Sequence, residues 1–240
     1  MLQATAGEDV NDPTASRLPV PDYLASAERE LSGFRVGIDE NYATRNIDLD
    51  VSLAMNEALR VMRNLGAQIV PIRFPDVTEV VSDWGAACSV ETAVAHEDTY
   101  PSRRSEYGPG LSGLLDVGRS LSAMDLQHIL LRRAYFRGKV IAALSVIDVM
   151  LIPAQPFASP TVSQMSTLGQ VPEQLAALLR YTAPFDMSGH PTLTVPAGFT
   201  AKGLPVAVQF VGNLFDESAV IRAGRAFQFS TNWHQRHPSI

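Results

Sequence analysis

One cysteine in 240 residues, two lysines among nineteen basic side chains and no long uninterrupted apolar run set the first limits on this protein. Cys88 cannot close an internal disulfide and has no second thiolate to share a metal, so a disulfide scaffold and a cysteine-ligated zinc fold are excluded. The expectation is a reduced, cytoplasmic protein. The longest apolar stretch, residues 140–153, is cut by Ser145 and Asp148 and falls short of the about 18 residues that a spanning helix needs. A formal net charge of −6 opposes the basic surface that nucleic-acid binding requires. Neither a membrane nor a nucleic acid is therefore an expected partner. The histidines at 96, 128, 190, 234 and 237 form no helical pair with a carboxylate, so no metal site is expected. A P-loop, a G-x-S-x-G elbow and a C-x-x-C motif are likewise missing, and no cofactor is expected. Residues 108–113 match G-x-G-x-x-G, but no strand precedes them, and they read as a flexible loop.

What is present is the patterning of a soluble α/β chain, with 46% apolar and 18% charged residues. The length suits one large domain or two small ones, with core enough to fold without staples. Residues 1–7 read as the last turn of a helix ending at Gly7, and residues 8–26, broken by Pro13, Pro19 and Pro21, as an extended connector. A short strand is predicted at 34–38, then an amphipathic helix at 49–65 with apolar residues at 51, 54, 55, 58, 62 and 65. Gly66 supplies the left-handed stop, and a second strand follows at 68–72. A right-handed crossover makes these strands parallel, with Val51, Met55, Leu59 and Met62 facing the sheet. A helix is expected at 76–97, a loop at 98–113, and a helix opened by a Ser122/Asp125 capping box and running to about residue 144. Residues 146–153 suit a strand buried on both faces. A loop at 154–171 and a helix at 172–181 follow. Strands at 193–196 and 206–212 are close enough for an antiparallel hairpin, and a helix starting near Asp216 or Ser218 closes the chain, followed by an aromatic and basic tail at 233–240. The fold class is α/β: a mixed, mostly parallel central sheet flanked by helices.

Two stretches carry chemical interest. Arg132, Arg133, Arg137 and Lys139 fall within eight positions and read as a solvated helical face with ion pairs, the alternative being an anion site. Residues 182–199 combine Pro184, Gly189, Pro191, Pro196 and Gly198 with an apolar strand core. They describe a loop entering a strand, where residues serve either the architecture or the lining of a crevice.

That second stretch, Thr182-Ala-Pro-Phe-Asp186-Met-Ser-Gly189-His-Pro191, resembles the T-x-P-F-N-x-x-G-x-P run of the amidase signature family. The similarity continues through the G-L-P-x-x-x-Q-x-x-G pattern at 203–212 and Phe215-Asp-Glu-Ser218. Upstream it takes in Asn11-Asp-Pro-Thr14, residues 20–23 and 35–39, Gly66-Ala67, residues 121–125 and residues 148–154, all in the family's order and covering 1–238. The resemblance implies amide hydrolysis by a serine nucleophile, activated through a second serine and a buried lysine, with backbone amides as the oxyanion hole. In the family those groups lie in the N-terminal half. This chain has no Ser-Ser and no Gly-Gly pair, and Lys139 and Lys202 fall in matches to the C-terminal half, so no catalytic residue is assigned.

The resemblance thus implies the C-terminal portion of an amidase-type hydrolase, inactive alone, with Met1 an internal methionine of a longer pattern. Residues 1–30 are expected as a connector and 31–240 as the C-terminal part of a single domain. Thr182, Phe185, Asp186 and Gly189 are the candidate substrate-binding residues. Asp186 stands where many members carry Asn, so it either alters a substrate contact or bonds loop amides. Partners are then a small-molecule amide, once an N-terminal half complements the chain, and a further copy of the chain. Two alternatives remain. One is a glutamine amidotransferase A-subunit-like fragment, although the Asp that such proteins carry three positions before the matching Thr is Leu179 here. The other is a non-catalytic α/β binding module.

Overall fold

The computed structural model describes residues 1–25, 31–167 and 171–237. A short helix α1 (Leu2–Thr5) and exposed turns lead to β1 (Arg35–Ile38), α2 (Glu40–Thr44), α3 (Leu49–Asn64) and β2 (Gln68–Pro71). Then come α4 (Thr78–Ala95), α5 (Pro109–Ser120), α6 (Ala123–Leu144), β3 (Val149–Pro153), α7 (Val162–Thr167), α8 (Pro172–Leu179) and α9 (Ala183–Ser188). The hairpin β4 (Thr192–Phe199) and β5 (Pro205–Gly212) and the helix α10 (Glu217–Phe229) complete the order.

The five strands form one sheet in the order β2-β1-β3-β5-β4. β1 pairs parallel with β2 and β3, and β5 pairs antiparallel with β3 and β4, so four strands point one way and β5 the other. β3 is buried on both faces, as its unbroken apolar sequence requires. Val149 and Leu151 join the core under α3 and α10, while Met150 and Ile152 join the core under α6 and α9. Val51, Met55, Leu59 and Met62 of α3 are all buried in the first of these. Gly66 ends α3 with φ of 90°. Ser122 and Asp125 close the capping box of α6 in both directions, and Asp216 accepts from the Ala219 N–H to start α10.

Three segments expected as loops are helical. Residues 108–113 open α5, with Gly108 as N-cap and Pro109 in the first turn, where its missing N–H costs nothing. Leu115 and Gly118 of α5 are buried, and a Cβ at Gly118 would lie 2.0 Å from the Ser89 carbonyl oxygen of α4. That close helix–helix approach, together with the ion pair from Arg104 to Asp116, offsets the poor helix propensity of Gly110 and Gly113. The expected loop at 154–171 contains the single-turn α7. The expected loop beginning at Thr182 is α9, with Pro184 in its first turn and Gly189 as a left-handed stop at φ 75°. Of the expected tail, Trp233–Gln235 form one 3-10 turn, and residues 238–240 lie outside the described residues.

Candidate functional site

The four candidate residues come together on α9, and the helix divides them. Phe185 points inward, buried in the core under α6 and α9, whereas Thr182, Asp186 and Gly189 lie on the exposed side. Thr182 and Asp186 are four apart and share a helix face. Thr182 begins the helix without capping it; its hydroxyl donates weakly to the Leu179 carbonyl at 3.4 Å.

Both ends of this short helix are held by residues far away in sequence. At the start, the Gln209 side-chain amide of β5 donates to the Tyr181 carbonyl at 2.8 Å, and the Tyr181 hydroxyl donates to the Tyr42 carbonyl at 2.9 Å. The Tyr42 hydroxyl in turn donates to the Arg180 carbonyl at 2.7 Å. The Arg180 guanidinium donates to the carbonyls of Arg45 and Tyr42 and lies over the Tyr42 and Tyr181 rings. Burial pushes the Tyr181 phenol up to about 12, and Tyr42 higher still, chiefly by burial. Both are neutral donors at any ordinary pH. Beneath the helix, Phe74 stacks on Tyr42 at 4.9 Å and meets Phe185 at 5.8 Å. The Asp39 carboxylate locks that pair by accepting from the Tyr42 and Phe74 N–H groups.

At the far end, Arg133 of α6 donates to the Met187 carbonyl at 2.9 Å and the Asp186 carbonyl at 3.3 Å. A cation satisfying the last carbonyls of a helix is favoured by both hydrogen bonding and dipole. Replacing Arg133 with glutamine is expected to cost about 1 kcal/mol, read as a lowered urea midpoint with unchanged slope.

Asp186 is not bound to loop amides. Its carboxyl accepts from the Trp84 side chain of α4, and burial raises its pKa while the Trp84 bond and the Arg133 charge lower it. Cys88, one turn on from Trp84, is half-buried and its thiol is pushed up, mainly by burial. It is a poor nucleophile there. The basic cluster on α6 disperses. Arg132 forms a bidentate pair with the buried Asp83, Lys139 lies 4.4 Å over the Tyr135 ring, and Arg133 serves α9. Ion pairing and capping thus engage Arg132 and Arg133, two of the four charges that could have formed an anion site.

Next to Gly189, the buried Ser188 hydroxyl lies 2.9 Å from Nδ1 of His190, and Nε2 of His190 is buried with no protein partner. Burial, with the Arg137 charge second, depresses this imidazole to about 4. An unfolded histidine titrates near 6.5, so the unfolded chain binds the proton first. The stability held by neutral His190 is complete above pH 6.5 and is lost as pH falls toward 4. Urea denaturation across that window is expected to show a loss of about 2 kcal/mol, flattened in His190→Gln.

The 410 Å³ groove between Gly33, Asp148, Asp216 and Arg222 includes none of the four residues. Among the described residues, no group of three or more His, Cys, Asp or Glu side chains is placed to hold a metal, and no helix is long and apolar enough to cross a membrane. Sequence pattern does not single out Trp84, Arg180 or Tyr42; Gln209 belongs to the 203–212 pattern and Arg133 to the basic cluster at 132–139, with no local signal that either supports α9.

With this geometry in place, known proteins can be set beside it. The family model described as Amidase matches residues 1–221. The chain is 39% identical over 241 residues to a putative amidase, AmiD, of Mycobacterium tuberculosis, covering all of this chain and 50% of that protein. It is 27% identical over 264 residues to the A-subunit of the glutamyl-tRNA(Gln) amidotransferase of Geotalea daltonii, covering all of this chain and 54% of that protein. The structure of 6-aminohexanoate cyclic dimer hydrolase with its substrate superposes with a TM-score of 0.81 at 18% identity, over 99% of this chain and 53% of that one. The chain therefore spans about half the length of the relatives it matches. Sequence model, relatives and sheet topology agree, and the chain belongs to the amidase family.

Proposed function

We propose that this chain is the C-terminal half of an amidase-type hydrolase of carbon–nitrogen bonds, supplying sheet scaffold and one wall of the substrate channel, and that it is inactive until an N-terminal half completes it. The observation that carries the reading is the match of the entire chain to half of each relative. Its lysines support it. A lysine can act as a base only when burial or neighbours keep it neutral, and both Lys139 and Lys202 are exposed.

In this reading the exposed face of α9 is the wall. Thr182 and Asp186 offer a hydroxyl and a carboxyl to a small amide, Gly189 leaves room for close approach, and Phe185 anchors the helix from below. Arg133, Trp84 and Gln209 hold that face in place. The nucleophile, its base and the oxyanion donors come from the N-terminal half. A serine-directed fluorophosphonate probe tests this. The 240-residue chain should remain unlabelled alone and in a mixture with the N-terminal half of the mycobacterial relative, while that half becomes labelled only in the mixture. Labelling of this chain by itself contradicts the proposal.

The amidotransferase relative offers a second reading, but Leu179 weakens it: a leucine provides nothing to hold an ammonium. A non-catalytic binding module remains the outcome if no half-enzyme restores activity.

A further inference from the structure

The helix α6 is apolar on both sides. Toward the core, Ile129, Phe136, Val140 and Leu144 are buried, and on the same half of the helix Arg133 bonds the carbonyls at the end of α9. Away from the core, Met124, Leu130, Leu131, Tyr135 and Ile141 stand 43 to 68% exposed. Their spacing is regular. Met124, Leu131 and Tyr135 are seven and four positions apart, and Leu130 and Ile141 eleven, so at about 3.6 residues per turn they line one face roughly 27 Å long. Gly138 lies in the middle of that face, where a Cβ would meet nothing within 4 Å. A surface helix ordinarily carries one apolar stripe, and a helix that is apolar all round is covered on both sides.

The charges beside this face have one sign. Between Asp125 and Asp148 the chain holds no acidic residue, and Asp125 itself is closed in the capping box with Ser122. Arg137 and Lys139 flank Gly138 in sequence, so each lies about 100° from it around the helix, one on either border of the face. Both are exposed. Lys139 rests over the Tyr135 ring with the Asp76 charge beyond it, and Arg137 has only the depressed, neutral His190 within electrostatic reach. Pairing this face with itself about a two-fold axis sets cation against cation in either helix direction, which opposes association of two copies. The same borders favour an occupant that carries carboxylates. The occupant is also not the part of an amidase that would bring a nucleophile to α9, because α9 packs on the core side of α6 and the outward face points away from it.

We propose that the outward face of α6, from Met124 to Ile141, docks an amphipathic helix of a second protein, its apolar stripe lying on Leu131, Tyr135 and Ile141 and its bordering aspartates or glutamates meeting Arg137 and Lys139. This inference stands whether or not the chain is half of an amidase.

The test uses the full 240-residue chain and two fluorescent helical peptides of about 18 residues, long enough to cover the face. Both carry the same leucine and alanine stripe, one bordered by glutamates and the other by lysines. In fluorescence anisotropy the glutamate peptide is expected to bind at least about tenfold more tightly than the lysine peptide and to weaken as salt is raised. The double variant Arg137→Glu/Lys139→Glu should reverse the order of the two peptides, and Leu131→Glu should abolish binding of the glutamate peptide, both with an unchanged melting curve because the positions are exposed. Should either variant lower the melting point, the comparison of the two peptides on the unaltered chain decides. Equal affinity for both peptides, no binding of either, or binding that survives Leu131→Glu overturns the proposal. A dimer of the chain alone that Leu131→Glu dissolves, or sedimentation with phosphatidylglycerol vesicles that the same variant abolishes, assigns the face to a second copy or to a lipid surface and overturns the assigned occupant. Loss of peptide binding on addition of the N-terminal half of the mycobacterial relative does so in favour of that half.

Discussion

Replacing Gly118 with valine is expected to lower stability by about 3 kcal/mol and to detach α5 from α4. The cause is backbone against backbone. A Cβ at this position would sit 2.0 Å from the Ser89 carbonyl oxygen and 2.9 Å from the Val90 nitrogen, and neither atom can rotate away as a side chain would. Ser89 is itself fully buried, its hydroxyl donating to the Ala86 carbonyl at 2.7 Å, so α4 cannot yield locally. Separating the helices would uncover Leu115 and Tyr100 and break the cluster in which the Tyr100 hydroxyl and Arg104 both donate to Asp116. Those hydrogen bonds hold the Asp116 carboxyl down at about 2. The measurement is a urea melt combined with limited proteolysis, in which cleavage within residues 96–122 should precede global unfolding. Gly110→Ala is the control: a Cβ there meets nothing within 4 Å, and alanine should stabilise the helix by up to about 1 kcal/mol.

Gln209→Leu should cost a similar amount, about 3 kcal/mol, for a different reason. The side chain is only 4% exposed and spans two elements, donating to the Tyr181 carbonyl at 2.8 Å and accepting from the Thr194 hydroxyl at 3.3 Å. Leucine has nearly the same volume but leaves a buried carbonyl without a donor and a hydroxyl without its acceptor. Gln209→Glu separates lost hydrogen bonding from lost packing. A buried carboxyl has a raised pKa, so its folded value exceeds its unfolded one and the folded state binds the proton first. Measured against wild type, in which the His190 effect is the same, the deficit of this variant should therefore shrink as pH falls from 7 toward 4.5, because the protonated acid can again donate to the Tyr181 carbonyl. A deficit relative to wild type that stays constant or widens on acidification in Gln209→Glu would show that this bond does not hold the corner.

The elements that were legible in the sequence are those whose instructions are local. The three-four spacing of Val51, Met55, Leu59 and Met62, the stop at Gly66 and the capping pair Ser122/Asp125 each act within a few residues, and the corresponding helices have the expected ends. The hairpin of β4 and β5 was readable because its turn is short. The helix α5 was not, because Gly110 and Gly113 speak against it locally and its support comes from Ser89 on another helix. α2 and α9 have only five and six residues, too few for periodicity to register. The candidate site divides along the same line. Thr182, Phe185, Asp186 and Gly189 fall in one contiguous run, and the fold places Phe185 and Asp186 on one short helix with Thr182 and Gly189 at its two ends. What supports that helix is spread over separations of 28 to 139 residues, from Gln209 to Tyr181 and from Tyr42 to Tyr181. Only chain folding brings those partners together.

The central claim is that this chain supplies half of an amidase and none of its nucleophilic machinery. Its most direct measurement is release of the amine from a chromogenic aryl amide by three samples: the purified chain, the N-terminal half of the mycobacterial relative, and the two mixed at equal concentration. The account predicts no turnover above the buffer rate for either part alone and measurable turnover for the mixture. Turnover by the 240-residue chain on its own would contradict it.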